Sequence, residues 1–404
     1  MRSCIASQPI FNIKKDVFGY ELLYRASEDS LKYDASDGSA ATKDVILTAF
    51  TNIGIEKITG GRRAFLNFTS DLILDEVPQM LSNDLLVVEL LEDIRPSKQI
   101  MDACRRLKRK GYMIALDDFV CTPETEQLIS IADIIKVDFK SNSEKDIRLL
   151  IGRINKKRRK IFLAEKVETD EDFTLAVSLG FTLFQGFFFC RPTISKVKSV
   201  DAMKASRLQL IRIASNPDIN FQDLADVIRR DIVLSFRLLK IVNSAYYGLR
   251  YSVKGIRHAL VILGLKDLKK WLALILLHEA IGDKPSELIR TALARGIFME
   301  KLALYRKDKK SRDEYFLTGL FSLSDAVLDA DLESILEETH LSSEICDPLI
   351  TGQGERAELL KIIYHLERAE WDEAEEMALK HGVSQETAGE LYLQALSEAN
   401  WLMD

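Results

Sequence analysis

The sequence predicts an α/β barrel of the (β/α)8, TIM-like kind over residues 1–192, followed by an all-helical domain over residues 193–404. Three observations carry this. Eight short strand-like runs alternate with helix-like stretches before residue 192, which implies a largely parallel sheet. Eight such units in roughly 200 residues are what a closed barrel needs. After Arg191-Pro192 the β-branched runs stop and apolar residues recur at helical spacing.

The strands are expected at residues 5–11, 17–24, 64–68, 85–90, 113–119, 134–139, 161–167 and 183–189. The first two are joined by a turn too short for a parallel crossover, so that pair should be antiparallel. Helical patterns fill residues 39–58, 96–110, 144–155 and 170–179. The last opens on Thr169-Asp170-Glu171-Asp172, with carboxylates where the helix dipole favours them. In the second half the pattern runs through Leu224, Val227 and Ile228, then Leu234, Leu238 and Ile241, then Leu260 and Leu263. Asn220 is a start signal, and Gly248, Gly264 and Gly282 are stop signals.

The chain has 404 residues, 47% hydrophobic and 29% charged, so it is an ordinary globular protein of two or three domains. Its net charge of −6 argues against broad nucleic-acid binding, which needs a positive surface. The five cysteines are scattered without zinc-ligand spacing and read as reduced thiols. No signal peptide is visible, and the densest apolar run, residues 271–277, is too short to span a bilayer. A cytoplasmic protein is expected. The basic runs at 156–160 and 307–312 read as solvated loops, and the acidic stretch after Trp371 as an exposed helix.

Five of the expected strands carry polar side chains inside apolar runs: Phe65-Leu66-Asn67, Val87-Val88-Glu89, Ile114-Ala115-Leu116-Asp117-Asp118, Ile134-Ile135-Lys136 and Phe162-Leu163-Ala164-Glu165. Burying an unpaired carboxylate costs several kcal/mol, on the order of the whole stability of a domain. Strand ends in such a barrel converge on one mouth. Asn67, Glu89 and Asp117 would give oxygen ligands to one hard divalent ion, and Asp118 and Glu165 to a second. Oxygen donors without histidine suit Mg2+ or Mn2+. A two-metal site of this kind serves phosphoryl displacement, with Lys136 orienting the water or neutralising charge. The plainer alternative is that each carboxylate caps its next helix. That does not account for two adjacent aspartates on one strand end.

Taken as a set, these residues resemble the EAL domain, a family that hydrolyses or binds cyclic-di-GMP. The resemblance covers residues 5 to 192. It rests on Gln8-Pro9-Ile10, on Glu21-Leu22-Leu23-Tyr24-Arg25, and on Asn67, Glu89, Asp117-Asp118-Phe119 and Lys136-Val137-Asp138. Glu165-Lys166-Val167-Glu168 and Gln185-Gly186 follow in the family's order. The resemblance implies that Glu21, Asn67, Glu89 and Asp117 bind a first metal, and that Asp118 and Glu165 serve a second. Glu165 becomes a general-base candidate, Lys136 contacts the attacking water, and Glu168 orients its neighbours. Gln8 and Gln185 would touch guanine, and Arg25 a phosphate. The implied reaction opens one phosphodiester of cyclic-di-GMP.

Three positions depart from the family's pattern. Leu22 replaces an alanine and Lys166 a glycine, and the loop at 120–125 contains no glycine where the family has a glycine-rich one. That loop shapes the metal site and a dimer contact, so a homodimer is a further expectation. Two readings stand side by side: a metal-dependent phosphodiesterase, and an inactive interaction scaffold.

Residues 205 to 285 resemble the HDOD domain, through Asn216-Pro217, Leu224-Ala225-Asp226-Val227-Ile228, Val242-Asn243-Ser244-Ala245 and Ala259-Leu260-Val261-Ile262-Leu263-Gly264. That domain is an all-α relative of the HD phosphohydrolases without their metal ligands. None of the five histidines here is followed by Asp, and Gly319-Leu320-Phe321 stands where a metal-binding His-Asp pair would fall. The helical half is therefore expected to relay a signal to a protein partner.

Overall fold

A computed structural model describes residues 3–26, 54–117, 119, 122, 125–155, 160–190, 285–328, 331–339 and 341–403, with positions 238, 242, 256, 258–264, 267, 268 and 271. The chain divides into two compact units, Met1–Arg191 with Glu358–Asp404, and Pro192–Ala357. The stretch Glu358–Asp404, expected with the helical half, thus packs with the barrel.

The first unit is a closed barrel of eight strands in sequence order. They are β1 Ser3–Asn12, β2 Val17–Ala26, β3 Arg63–Phe68, β4 Leu86–Leu90, β5 Met113–Leu116, β6 Ile134–Asp138, β7 Ile161–Glu165 and β8 Leu183–Gln185. β1 runs antiparallel to both β2 and β8, and every other pairing is parallel. The antiparallel first pair is as the short turn required.

Between the strands lie α1 Ile55–Thr59, α2 Ser70–Leu74, α3 Lys98–Arg109, α4 Glu126–Ile129, α5 Glu144–Asn155 and α6 Asp170–Leu179. The expected helix over 39–58 is described only from residue 54. Ser97 caps α3, its hydroxyl accepting from Ile100 N at 3.2 Å. Thr169 and Asp172 form a reciprocal capping box on α6.

Three strands end earlier than their apolar runs. At the end of β7, Lys166 takes φ 58°, a left-handed conformation that a strand cannot contain. β8 stops at Gly186, φ 147°, where a Cβ would lie 2.0 Å from Val167 O. Only glycine fits that approach. β5 ends at Leu116, and Asp117 N turns to bond Leu90 O at 3.0 Å.

The barrel interior holds a layer of Ile10, Phe65, Val87, Ala115, Ile134, Leu163 and Leu183, all buried. Successive strand side chains alternate faces, so residues two apart share one. One pleat toward the mouth from this floor stand Asn67, Glu89, Asp117, Lys136, Glu165 and Gln185. On reversed β1 the same step leads backwards, from Ile10 to Gln8. Register pairs Gln8 with Glu21 of β2. Leu22 lies on the opposite face of β2 and is 2% exposed, so its bulk is directed away from this polar ring.

The second unit contains α7 Glu287–Tyr305, α8 Arg312–Phe321, α9 Ser324–Leu328, α10 Leu332–Thr339 and α11 Ser343–Thr351. α7 and α8 meet at Gly296 and Gly319; a Cβ on Gly319 would stand 2.4 Å from Arg295 O. The Gly-Leu-Phe run is thus a close helix crossing. Leu238 and Val242, four apart, are both fully buried, as are Ala259 and Leu260, while His258 is exposed. The remaining residues of the Val-Asn-Ser-Ala motif, and the Asn216 and Leu224 motifs, lie outside the described residues.

Three more helices follow: α12 Glu355–Glu367, α13 Trp371–Lys380 and α14 Gln385–Met403. α14 packs on β1 and on α1. Its Asn400 amide donates to Lys57 O at 2.7 Å and Ile58 O at 2.9 Å, satisfying carbonyls at the end of α1. A hairpin supplies no helix between β1 and β2, and the C-terminal helix lies on β1 instead. No described helix is long and apolar enough to cross a membrane.

Candidate functional site

The polar ring is a cage around Lys136. Its ammonium lies 3.1 Å from Glu21, 2.9 Å from Glu89, 2.7 Å from Asp117 and 2.8 Å from Glu165. Lys136 and Glu89 are fully buried, and Glu21 nearly so. Burial opposes the lysine's charge. The carboxylates of Glu165, Glu21, Glu89 and Asp117 outweigh it and hold the ammonium well above the usual lysine range. Burial pushes the Glu89 carboxyl well up, as do Glu21 and Asp117, with only Lys136 opposing. Burial, then Glu21 and Asp117, push Glu165 up to about 8 against the pull of Lys136. Four carboxylates share one cation, so the cage is short of positive charge.

Ligand oxygens of Glu21, Glu89 and Asp117 lie within 4.8 Å of one another. Asn67 is the register partner of Glu89 on the neighbouring strand. This all-oxygen donor set fits a hard divalent cation. Lys136 among the same oxygens supplies part of the positive charge that these carboxylates call for. Asp118, expected at a second ion, lies outside the described residues, as does the side chain of Arg25.

Gln185 and Gln8 extend the ring. Gln185 Nε2 donates to Glu21 Oε2 at 2.6 Å and to Gln8 Oε1 at 3.0 Å. Gln185 Oε1 is buried and accepts no hydrogen bond among the described residues. Such an orphaned acceptor marks a place for a donor from outside. Glu168 stands at the rim, where the Lys140 ammonium bonds its carboxylate. A cavity of about 440 Å³ opens beside Asp117, between the segments after β4 and β5, lined by Leu91, Asp93, Arg95, Phe119 and Thr122. Of the glycine-free loop, Thr122 and Thr125 are described; their hydroxyls lie 3.1 Å apart, and each backbone N–H bonds the other's hydroxyl at the start of α4.

The sequence reading left Asp138 and the C-terminal helices without a part. Asp138 follows Lys136 on the same face of β6. It accepts from Ser141 Oγ at 2.8 Å, from the backbone N–H groups of Lys140 and Ser141, and from the Lys166 ammonium. Burial raises its pKa, but these donors outweigh it and hold the carboxyl at about 2. Lys166 thus replaces glycine at a left-handed position and gains an ion pair there. A carboxyl depressed below its unfolded value of 3.8 adds stability that is present above that pH and is lost as pH falls toward 2. Asp138→Asn should cost about 1–2 kcal/mol at pH 7, discounted for the exposed lysine. Urea unfolding at pH 7 and near pH 2.5 checks this: the gap between variant and wild type should narrow markedly at the lower pH.

Comparison with known proteins agrees with this architecture. A model of the EAL domain matches residues 2–192, and a model of the HDOD domain matches residues 202–332. The chain is 37% identical over 413 residues to the uncharacterized protein YuxH of Bacillus subtilis, covering 100% of both. It is 32% identical over 392 residues to a protein of Vibrio cholerae named cyclic di-GMP phosphodiesterase CdgJ, covering 97% of this chain and 91% of that one. The chain belongs to the EAL–HDOD proteins. Among solved structures, Klebsiella pneumoniae BlrP1 with calcium and cyclic-di-GMP matches 47% of this chain and 56% of its own, at 23% identity and TM-score 0.37. The caged carboxylates and the Gln8–Gln185 pair fall inside the EAL domain. The stretch Glu358–Asp404, which packs with the EAL barrel, lies beyond both matched regions.

Proposed function

We propose that the EAL barrel binds cyclic-di-GMP with divalent cations, Mg2+ or Mn2+, and hydrolyses one of its phosphodiester bonds. The observation that carries this is the buried cage of Glu21, Glu89, Asp117 and Glu165, which holds more negative charge than Lys136 neutralises. Divalent ions bound there would supply positive charge to the phosphate and a more acidic water. Glu21, Asn67, Glu89 and Asp117 would hold the first ion, and Asp118 and Glu165 the second. Lys136 would donate a hydrogen bond to the attacking water, Glu165 would accept its proton, and Glu168 would steady the rim. Gln8 and Gln185 would meet a guanine edge and Arg25 a phosphate. The relative CdgJ, named for this activity and similar over nearly its whole length, supports the reading.

The HDOD half would pass the occupancy of the barrel to a protein partner in the cytoplasm, and the segment after Asp118 would take part in a homodimer contact. Full-length protein incubated with cyclic-di-GMP and Mn2+ should give the linear dinucleotide, and Glu21→Ala should not. Tight binding without product would identify a non-catalytic receptor, a reading favoured by the glycine-free segment after Asp118. Neither binding nor product would leave an interaction scaffold.

A further inference from the structure

We propose that the turn closing α12, at Glu367 and Arg368, is a positioning element for the ligand site, acting through Gln8, Gln185 and Glu21. The proposal rests on the cyclic-dinucleotide reading above. It adds a contribution from a segment outside the EAL domain itself.

The Glu367 carbonyl accepts from Gln8 Nε2 at 3.2 Å. Gln8 Oε1 in turn accepts from Gln185 Nε2, which also donates to Glu21 Oε2. A carboxamide has two unlike ends, one donor and one acceptor. Were Gln8 flipped, its oxygen would face the Glu367 carbonyl and its NH2 would face that of Gln185. The Glu367 carbonyl and the Glu21 carboxylate, both acceptors only, hold the two amides in one orientation from opposite ends of the relay. That orientation leaves Gln185 Oε1 as the buried acceptor without a partner among the described residues. A guanine Watson–Crick edge presents N–H donors to such an acceptor, whereas adenine presents a ring acceptor at the same place. Sites built on buried hydrogen bonds discriminate strongly against ligands that cannot make them.

The same turn has a second anchor. The Arg368 guanidinium lies over the Phe187 ring, 5.3 Å from its centroid. Phe187 follows Gln185 by two residues. The turn therefore grips both sides of the seam between β1 and β8, which is paired at only three positions. It is closed by Ala369 at φ 57°, with Glu370 N donating to His365 O at 2.9 Å.

The test uses full-length Arg368→Ala, Arg368→Lys and Ala369→Pro, the last because proline cannot adopt positive φ. Calorimetry with cyclic-di-GMP and cyclic-di-AMP, and electron paramagnetic resonance titration with Mn2+, give the affinities; melting curves monitor the fold. Arg368→Ala should weaken cyclic-di-GMP about three- to tenfold, the scale of a partly exposed cation–π contact plus a loosened amide. It should narrow the preference over cyclic-di-AMP and weaken Mn2+ in parallel, with a melting midpoint lowered by only about 1–3 °C. Arg368→Lys should recover most of the loss, and Ala369→Pro should exceed it. Wild-type affinities and preference in folded Arg368→Ala and Ala369→Pro would overturn the proposal; if the proline variant does not fold, the arginine pair decides. A wild type that takes up Mn2+ but no cyclic dinucleotide would sink the proposed function instead, and the relay would be judged on the Mn2+ titrations.

Discussion

Lys136→Met should lower the thermal midpoint of the metal-free protein by roughly 10 °C, and Mn2+ should restore most of that loss. The ammonium is fully buried and lies within 3.1 Å of four carboxylates, on β2, β4 and β7 and just past the end of β5. Removing it leaves those carboxyl groups facing one another without a cation, so that they repel or must take up protons. Breaking a buried pair from one side costs about 3–5 kcal/mol, because the partner charge stays behind. Methionine keeps the length and the apolar stem, so packing loss is small. A divalent ion entering the emptied cage neutralises more charge than the lysine did, and binding to the folded state alone raises stability by mass action. Differential scanning calorimetry with EDTA and with Mn2+ reads both effects. An unchanged midpoint in EDTA would mean that the lysine does not hold the cage together.

Glu89→Gln should produce the opposite pairing of effects. The Glu89 carboxyl is fully buried and held well above its ordinary range, so its ionised form disfavours folding at neutral pH. A raised carboxyl contributes stability below its unfolded value, which is lost as pH rises through the folded one. Glutamine removes the charge and keeps the shape, while Lys136 retains three carboxylates. The metal-free variant should therefore be as stable as the wild type or about 1–2 kcal/mol more so. Mn2+ affinity should fall about a hundredfold or more, since even supporting groups around a metal are worth ten- to a hundredfold. Hydrolysis should fall with it. Stability rising while metal affinity collapses is the signature of a site maintained against the fold's own preference. Chemical denaturation and Mn2+ titration of the same preparation decide the matter, and unaltered Mn2+ binding would remove Glu89 from the ligand set.

The barrel was legible because its floor and its site are written at a fixed interval. Ala115 and Asp117, Leu163 and Glu165, and Leu183 and Gln185 each place an apolar residue two positions before a polar one. The period of a strand turns that spacing into a layer above a layer. Glu21 has only Gly19 beneath it, so the interval is silent there and the family resemblance supplied it. That Lys136 stands among the carboxylates, and not beside them, depends on three-dimensional closure and has no linear trace. The docking of α14 on β1 was equally invisible. An amphipathic helix announces that it has an apolar face, not which surface will cover it. Lys166 read only as a departure from the family's glycine, because the sequence gives no hint of Asp138 at hand to receive its charge.

Contact between Gln8 and Glu367 spans 359 residues, and Asn400 reaches back 343 to Lys57. Pairings so distant along the chain are slow to form, because a long loop must close before any gain is felt. During synthesis, at roughly 5–20 residues per second, β1 waits about 20 seconds or more for the helix that lies against it. In that interval the nascent barrel exposes an apolar strand while the helical domain is still being made. A premature stop or a frameshift anywhere in the second half would therefore be felt in the first, as a barrel that aggregates with one strand uncovered.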